Sequence, residues 1–285
     1  METDMRLVRY GEPGREKAGI VDGEGNLRAI SPLVTDWTVE HLSDEWQHIL
    51  AALDPAKLPK VDGDIRIAAP ISGISQLLGI GLNYRDHAAE ANMAIPDFPM
   101  LFQKALGSIS GPYDDILLGQ GAEALDWEAE LAVVVRKRGR HIALEDAYDY
   151  IGGYMVAADI SERDWQFSHG GLHNKGKSYD SFTPLGPWLV TPQDVVDPQS
   201  LHIWLTVNQD IRQDASTSEM IFSVAECIAH ISKFQTLLPG DVILTGTPAG
   251  VGFGMDPRMY LRPGDIVALG VDDLGKQKHR VVPEG

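Results

Sequence analysis

Apolar and polar positions alternate along residues 5–30, in MRLVRY and then KAGIVDGEGNLRAI. The period of two predicts strands, and DGEGN between the last two runs has the turn chemistry of a hairpin. The period then changes. In TVEHLSDEWQHILAALDP, Leu42, Trp46, Leu50 and Leu53 recur at helical spacing, and Pro55 stops the pattern. KVDGDIRIAAPIS, 60 to 72, reads as a linker, with a boundary near residue 70. Beyond it lie short strand candidates separated by Gly and Pro, at 74–81, 116–119, 129–137, 153–160, 186–191, 201–208, 241–246 and 265–271. Helical patterns fall near 84–92, 144–150 and 219–235. Strand and helix do not alternate as repeated units, which argues against a Rossmann fold or a TIM barrel and for a β-rich α+β domain. PGD precedes a strand in both LLPGDVILTG and LRPGDIVALG, a reused turn and not a repeat.

One strand candidate departs from simple amphipathy. DWEAELAVVV, 126 to 135, places Asp126, Glu128 and Glu130 on one face, with Leu131, Val133 and Val135 on the other. Ala132 and Val134 continue the acid face into the interior. Adjacent carboxylates entering a core repel one another and lose solvation, so they need a proton, a basic partner or a cation. A solvated acidic strand end and a hard-oxygen site for Mg²⁺ or Mn²⁺ both fit this spacing. Asp159 ends the apolar run GYMVAAD just before Ser161, a candidate helix N-cap. It either caps the next turn or adds a third carboxylate to a shared site.

Composition narrows the function classes. The chain has 285 residues, 44% of them hydrophobic and 23% charged, enough for a large core. Asp and Glu outnumber Lys and Arg by 41 to 24, a formal charge of −17, which disfavours nucleic acid and anionic membrane surfaces as partners. The opening residues lack the apolar run of a signal peptide, and no stretch matches a membrane span, so a cytoplasmic protein is expected. Cys227, the one cysteine, lies in IFSVAECIAHI and reads as a core thiol.

Three further stretches carry candidate chemistry. In LLGIGLNYRDHAAE, His87 and Glu90 are three apart and share a helix face, where a carboxylate can orient an imidazole that activates water. In KGKSYDSFTPLGPW, Lys175 and Lys177 precede a Gly/Pro-rich loop and can meet a carboxylate or an enolate. LTGTPAGVGFG lacks the GK[ST] of a phosphate loop, but it can offer backbone N–H groups and the Thr247 hydroxyl to a carboxylate. An ordinary surface pair, solvated lysines and a plain loop are the bland alternatives.

Together these segments resemble the fumarylacetoacetate hydrolase family. GLNYRDHAAE, LFQKALGSISGP, DWEAELAVVV, GYMVAADISERDWQ, KGKSYDSFTPLGPW, PGDVILTGTPAGVG and LRPGDIVALGV occur in the family's order over roughly residues 74 to 282. The resemblance implies a mixed β-sandwich roll at 71–285 behind a small N-terminal α/β domain at 1–70, assembled as a homodimer. It implies that Glu128, Glu130 and Asp159 ligate Mg²⁺ or Mn²⁺ and that His87 and Glu90 form the water-activating dyad. Lys177 would lie beside the bound substrate, with Tyr84, Arg163, Gln166 and Thr247 lining the site. The implied partner is a small 2-oxo acid. The implied reaction is hydrolysis of the C3–C4 bond of an acylpyruvate. The opening segment and the FSHGGLHNKGKS insert resemble the branch that cleaves 2,4-diketo-3-deoxy sugar acids of the L-rhamnonate or L-fuconate type to pyruvate and lactate. Other readings of such a site are a simpler acylpyruvate hydrolase, an isomerase or decarboxylase of a 2-oxo dicarboxylate, a ureidoglycolate lyase, or a non-catalytic metal-binding member.

Overall fold

The computed structural model describes residues 6–31 and 33–285; Met5, at the start of the first expected strand, lies outside them. Two sheets organise the chain. The larger runs, in spatial order, through Leu27–Ala29, Lys17–Val21, Arg6–Tyr10, Leu189–Val190, Ile151–Ala158, Ala129–Val135, Val242–Leu244, Leu77–Gly81 and Met100–Lys104. The smaller runs through Asp210–Ser216, His202–Val207, Ile266–Val271, Gly275–Pro283 and Ile116–Leu118. The fold is strand-rich and mixed, as the sequence pattern implies.

Ala129–Val135 is the pivot. All seven of its residues are buried, because each face meets a different core. Leu131, Val133 and Val135 join Ile203, Leu205 and Leu269 of the smaller sheet. Ala132 and Val134 join Ile20, Ile30, Trp37 and Leu50 of the first 70 residues. The N-terminal segment also extends the larger sheet directly, since Arg6 and Leu7 pair with Val190 and Leu189. The DGEGN turn forms the expected hairpin, with Val21 opposite Leu27. Within the expected linker, Ile67–Ala68 pairs with Tyr10 and Arg9.

Several elements differ from their expected form for local reasons. The 219–235 pattern yields a 3₁₀ turn, Thr217–Glu219, and a helix confined to Val224–Ser232. Ser223 and Glu226 set its start through a capping box: the Ser223 hydroxyl accepts from the Glu226 N–H, and the Glu226 carboxylate accepts from the Ser223 N–H. Residues 144–150 form 3₁₀ turns. Met100–Lys104 is a further, edge strand, whose apolar run of only three residues, Met100 to Phe102, is too short to stand out by period. Cys227 is a buried core thiol, and burial pushes its pKa up. Among the described residues, no helix is long and apolar enough to cross a membrane.

Candidate metal and catalytic centre

The strand carrying the acids is interrupted. Leu125–Asp126 pairs with Ser161–Glu162, and Ala129–Val135 begins anew after Trp127 and Glu128. The break separates Asp126 from the other acids. Asp126 is fully buried and accepts from the Arg163 Nε at 2.8 Å and from the Gly252 and Phe253 N–H groups at 2.7 and 3.0 Å. It ties the 246–254 loop to the Arg163–Phe167 helix.

Glu128, Glu130 and Asp159 converge instead, each offering an oxygen within 4.8 Å of the others, and all are buried. Three buried carboxylates require nearby positive charge. Lys177 Nζ lies 2.7 Å from Glu128 Oε2 and 2.6 Å from Asp159 Oδ2. Arg163 Nη2 lies 2.7 Å from Glu128 Oε1. Lys104 Nζ donates to Asp159 Oδ1 and, at 2.8 Å, to the Phe182 carbonyl. Burial opposes ionisation of Glu128, yet Lys177 and Arg163 outweigh it and hold this carboxyl well below the usual range. Burial has the opposite result at Glu130. It combines with the Asp159 and Glu128 charges to push Glu130 well above the usual range, against Lys177 and the Gly246 N–H at 2.6 Å. Additional positive charge at the triad would relieve Glu130, and an all-carboxylate oxygen set suits a hard cation such as Mg²⁺ or Mn²⁺. The residues present thus fit a divalent metal.

His87, the imidazole of the dyad, faces the same cavity. The short helix Arg85–Glu90 follows Asn83, which is fully buried and bonded to two distant chain segments. Its Nδ2 donates to the Thr245 and Phe222 carbonyls, and its Oδ1 accepts from the Phe222 N–H. His87 Nδ1 stands 3.3 Å from Glu90 Oε2, and Glu90 Oε1 accepts from the Gly250 N–H at 2.9 Å. With the Nδ1 proton assigned to the Glu90 contact, Nε2 is left as the basic nitrogen. Gly250 has φ +105°, and a Cβ there would lie 1.8 Å from the Arg212 carbonyl oxygen, so the loop backbone reaches Glu90 only with glycine at this position.

A cavity of about 90 Å³ is lined by His87, Glu128, Glu130, Asp159, Lys177 and Thr247, together with Arg163, Gln166 and a group of apolar side chains. Four expectations change in detail. Tyr84 does not line the cavity: its ring is in the core, and its hydroxyl is buried without a hydrogen-bond partner among the described residues. Thr247 lines the cavity, but its hydroxyl donates to the Ala129 carbonyl and accepts from Gln213 Nε2, which fixes the loop. Lys175 is exposed and donates to the His169 carbonyl. Ser161 is not the helix cap. Glu162 is, accepting from the Trp165 N–H at 2.7 Å, which leaves Asp159 for the triad. Arg163 and Gln166 both line the cavity and bond each other, Nη1 to Oε1 at 2.9 Å.

Lys104 and Gln213 escaped the sequence reading. Lys104 ends the apolar stretch MLF-QK on the face of Met100 and Phe102, and a lysine at the inner end of an apolar strand face was the available signal. Nothing local marked Gln213, which bonds Ala129, Thr247 and Pro248 from the other sheet.

Residues 76–282 match the family model for the fumarylacetoacetate (FAA) hydrolase C-terminal region. The chain belongs to the fumarylacetoacetate hydrolase family. A relative from Burkholderia multivorans is 48% identical over 274 residues, 96% of this chain and 97% of that one; its name, given provisionally, is hydrolase, with no substrate. The solved fumarylacetoacetate hydrolase from psychrophilic Exiguobacterium antarcticum superposes with a TM-score of 0.88 at 33% identity, covering 98% of this chain and 100% of that one. Maleylpyruvate hydrolase from Sphingobium sp. SYK-6 gives a TM-score of 0.81 at 29% identity, with coverage of 98% and 100%. The 2-hydroxyhepta-2,4-diene-1,7-dioate isomerase from Mycobacterium marinum gives 0.75 at 32% identity, with coverage of 99% and 99%. Hydrolases and isomerases therefore share this scaffold.

Proposed function

We propose that this family member hydrolyses the C3–C4 bond of an acylpyruvate, releasing pyruvate and a carboxylic acid. The observation that carries the reading is His87, paired with Glu90, lining the cavity that holds the carboxylate triad. Hydrolysis needs a base beside the triad to activate water, whereas decarboxylation needs only stabilisation of an enolate, so an oriented base there favours hydrolysis over decarboxylation.

Glu128, Glu130 and Asp159 would hold a divalent cation, whose Lewis acidity serves the oxygens of the 2-oxo acid. His87 takes a proton from water at Nε2 while Glu90 keeps the ring oriented. The resulting hydroxide attacks C4. The C3–C4 bond breaks, and its electron pair passes to C3 as the enolate of pyruvate. The Lys177 ammonium offsets that charge, and protonation at C3 completes pyruvate. Gln166 and Arg163 shape the wall beside the reacting carbons. The class includes the 2,4-diketo-3-deoxy sugar acids of the rhamnonate and fuconate type.

The test is pyruvate release from a panel of acylpyruvates, a diketo-deoxy sugar acid and oxaloacetate, with Mg²⁺ or Mn²⁺ and after chelation. Chelation should abolish turnover. His87→Asn should bind Mn²⁺ as the parent does and lose about 10²–10⁴-fold in kcat. Full activity after exhaustive chelation, or unchanged turnover in the variant, would overturn the reading.

A further inference from the structure

Away from the triad, the cavity changes character. Met100, Phe102 and Lys104 share one face of the edge strand, since side chains two apart point the same way. Lys104 lies at the carboxylate end of that face, whereas Met100 and Phe102 line the cavity. Phe102 pairs across the sheet with Gly79, where a Cβ would come within 2.2 Å of its ring. The glycine therefore allows the ring to lie flat over the sheet. Phe167 and Phe253 meet with ring centroids 5.2 Å apart, and Met93 adds a further apolar wall.

We propose that this wall selects the acyl group: the enzyme takes acylpyruvates with an uncharged, apolar tail, in preference to tails bearing a second carboxylate or sugar hydroxyls. The proposal rests on the hydrolase reading above for its reaction, and on the cavity alone for its selectivity. A second carboxylate would need a cation, and the lining cations, Arg163 and Lys177, are both bound to acids of the centre. Arg258 stands over the Phe253 ring at 4.1 Å but does not line the cavity. His173 touches the wall edge-on to Phe102 and Phe167, and burial, with Lys177 adding, moves it toward the neutral ring. Sugar hydroxyls fare little better. The one lining hydroxyl, Thr247, is engaged with the backbone, which leaves Gln166 and His173 as the neutral polar groups besides the His87 base. Hydroxyls or a carboxylate placed against Met and Phe lose water without replacement, whereas each added methylene gains.

Selectivity can be read without turnover. Titration calorimetry of the Mg²⁺-loaded protein with 2-oxohexanoate and 2-oxoadipate compares a terminal methyl with a terminal carboxylate on the same carbon chain. We expect 2-oxohexanoate to bind at least about tenfold more tightly. Met100→Lys should narrow or reverse that ratio, because it places a free cation on the wall. In kinetics, kcat/KM for unbranched acylpyruvates should rise about fourfold per methylene over the first two or three, and should exceed that for maleylpyruvate and for a diketo-deoxy sugar acid. Equal or tighter binding of 2-oxoadipate, or faster cleavage of the charged or hydroxylated substrates, overturns the tail selectivity while leaving hydrolysis intact. Absence of turnover with every acylpyruvate, beside the expected binding ratio, overturns the hydrolase reading instead.

Discussion

Lys104 carries a charge with no solvent access: its side chain is fully buried against Asp159, which is equally buried. Burial pulls its pKa down against the attraction of Asp159, and the neighbouring Lys177 charge adds to the pull. Removing the only partner of a buried charge typically costs about 3–5 kcal/mol, but Asp159 would keep Lys177 at 2.6 Å, so the loss here should be smaller. Lys104→Met, close in length but neutral, should therefore lower the unfolding free energy by about 1–3 kcal/mol in chelator. Added Mn²⁺ should restore part of the loss, because a cation at the triad supplies charge to Asp159. Urea denaturation with and without Mn²⁺ reads both effects, and an unchanged midpoint would refute the assignment. At this scale the sequence was informative where a side chain belonged to a local pattern, as with Glu128, Glu130, His87 and Glu90. It misled where a plausible residue faced elsewhere. Tyr84 adjoins the helix of the dyad, yet its ring turns into the core.

The 246–254 loop is the element on which the centre depends. Asp126 holds it at Gly252 and Phe253, Gln213 holds it at Thr247 and Pro248, and it supplies the Gly250 N–H to Glu90. In Gly250→Ala, φ +105° is strained for an L residue, and the added Cβ would meet the Arg212 carbonyl oxygen at 1.8 Å. The loop must shift, and Glu90 loses its donor. We expect kcat to fall at least about tenfold, equivalent to about 1.4 kcal/mol, with Mn²⁺ affinity retained because the triad lies on other elements. Parent-like kcat would show that Glu90 keeps its orientation without the loop. Gly and Pro spacing identified the segment as a loop and excluded a phosphate loop. The interlock itself joins Arg212 and Gln213 to residues more than 30 positions away, which no local period reports.

Over the whole molecule, one contribution to acid sensitivity comes from a histidine remote from the centre. His279 is 1% exposed, with Nδ1 2.7 Å from the Asp114 carbonyl and Nε2 3.0 Å from Gln277 Oε1. Burial is the main cause of its pKa falling from 6.5 to about 4 in the folded protein. Between those values the unfolded chain binds the proton and the folded chain does not. Stability from this site is therefore complete above pH 6.5 and declines as the pH falls toward 4, by at most about 1.4 kcal/mol per unit. His279→Gln should remove close to one proton from the pH dependence of unfolding across that window. An unchanged slope in pH-dependent urea melts would rule the histidine out.

The same contrast between local and distant order runs through the fold. Period-two and helical spacing determined where strands and helices could form, and the Glu-x-Glu step determined that two carboxylates would share a face. The ordered motifs pointed to the family. These are properties of neighbouring residues, legible because backbone geometry repeats over a few positions. The tertiary structure alone decided that Ala129–Val135 would serve two cores, that Asp126 would brace a loop, and that Lys104 would pair with Asp159 across 55 positions. It also decided that Phe102, Phe167 and Phe253 would meet on one wall beside the carboxylates. Such contacts depend on how sheets and loops pack, and side chains brought together by packing leave no common spacing in the chain.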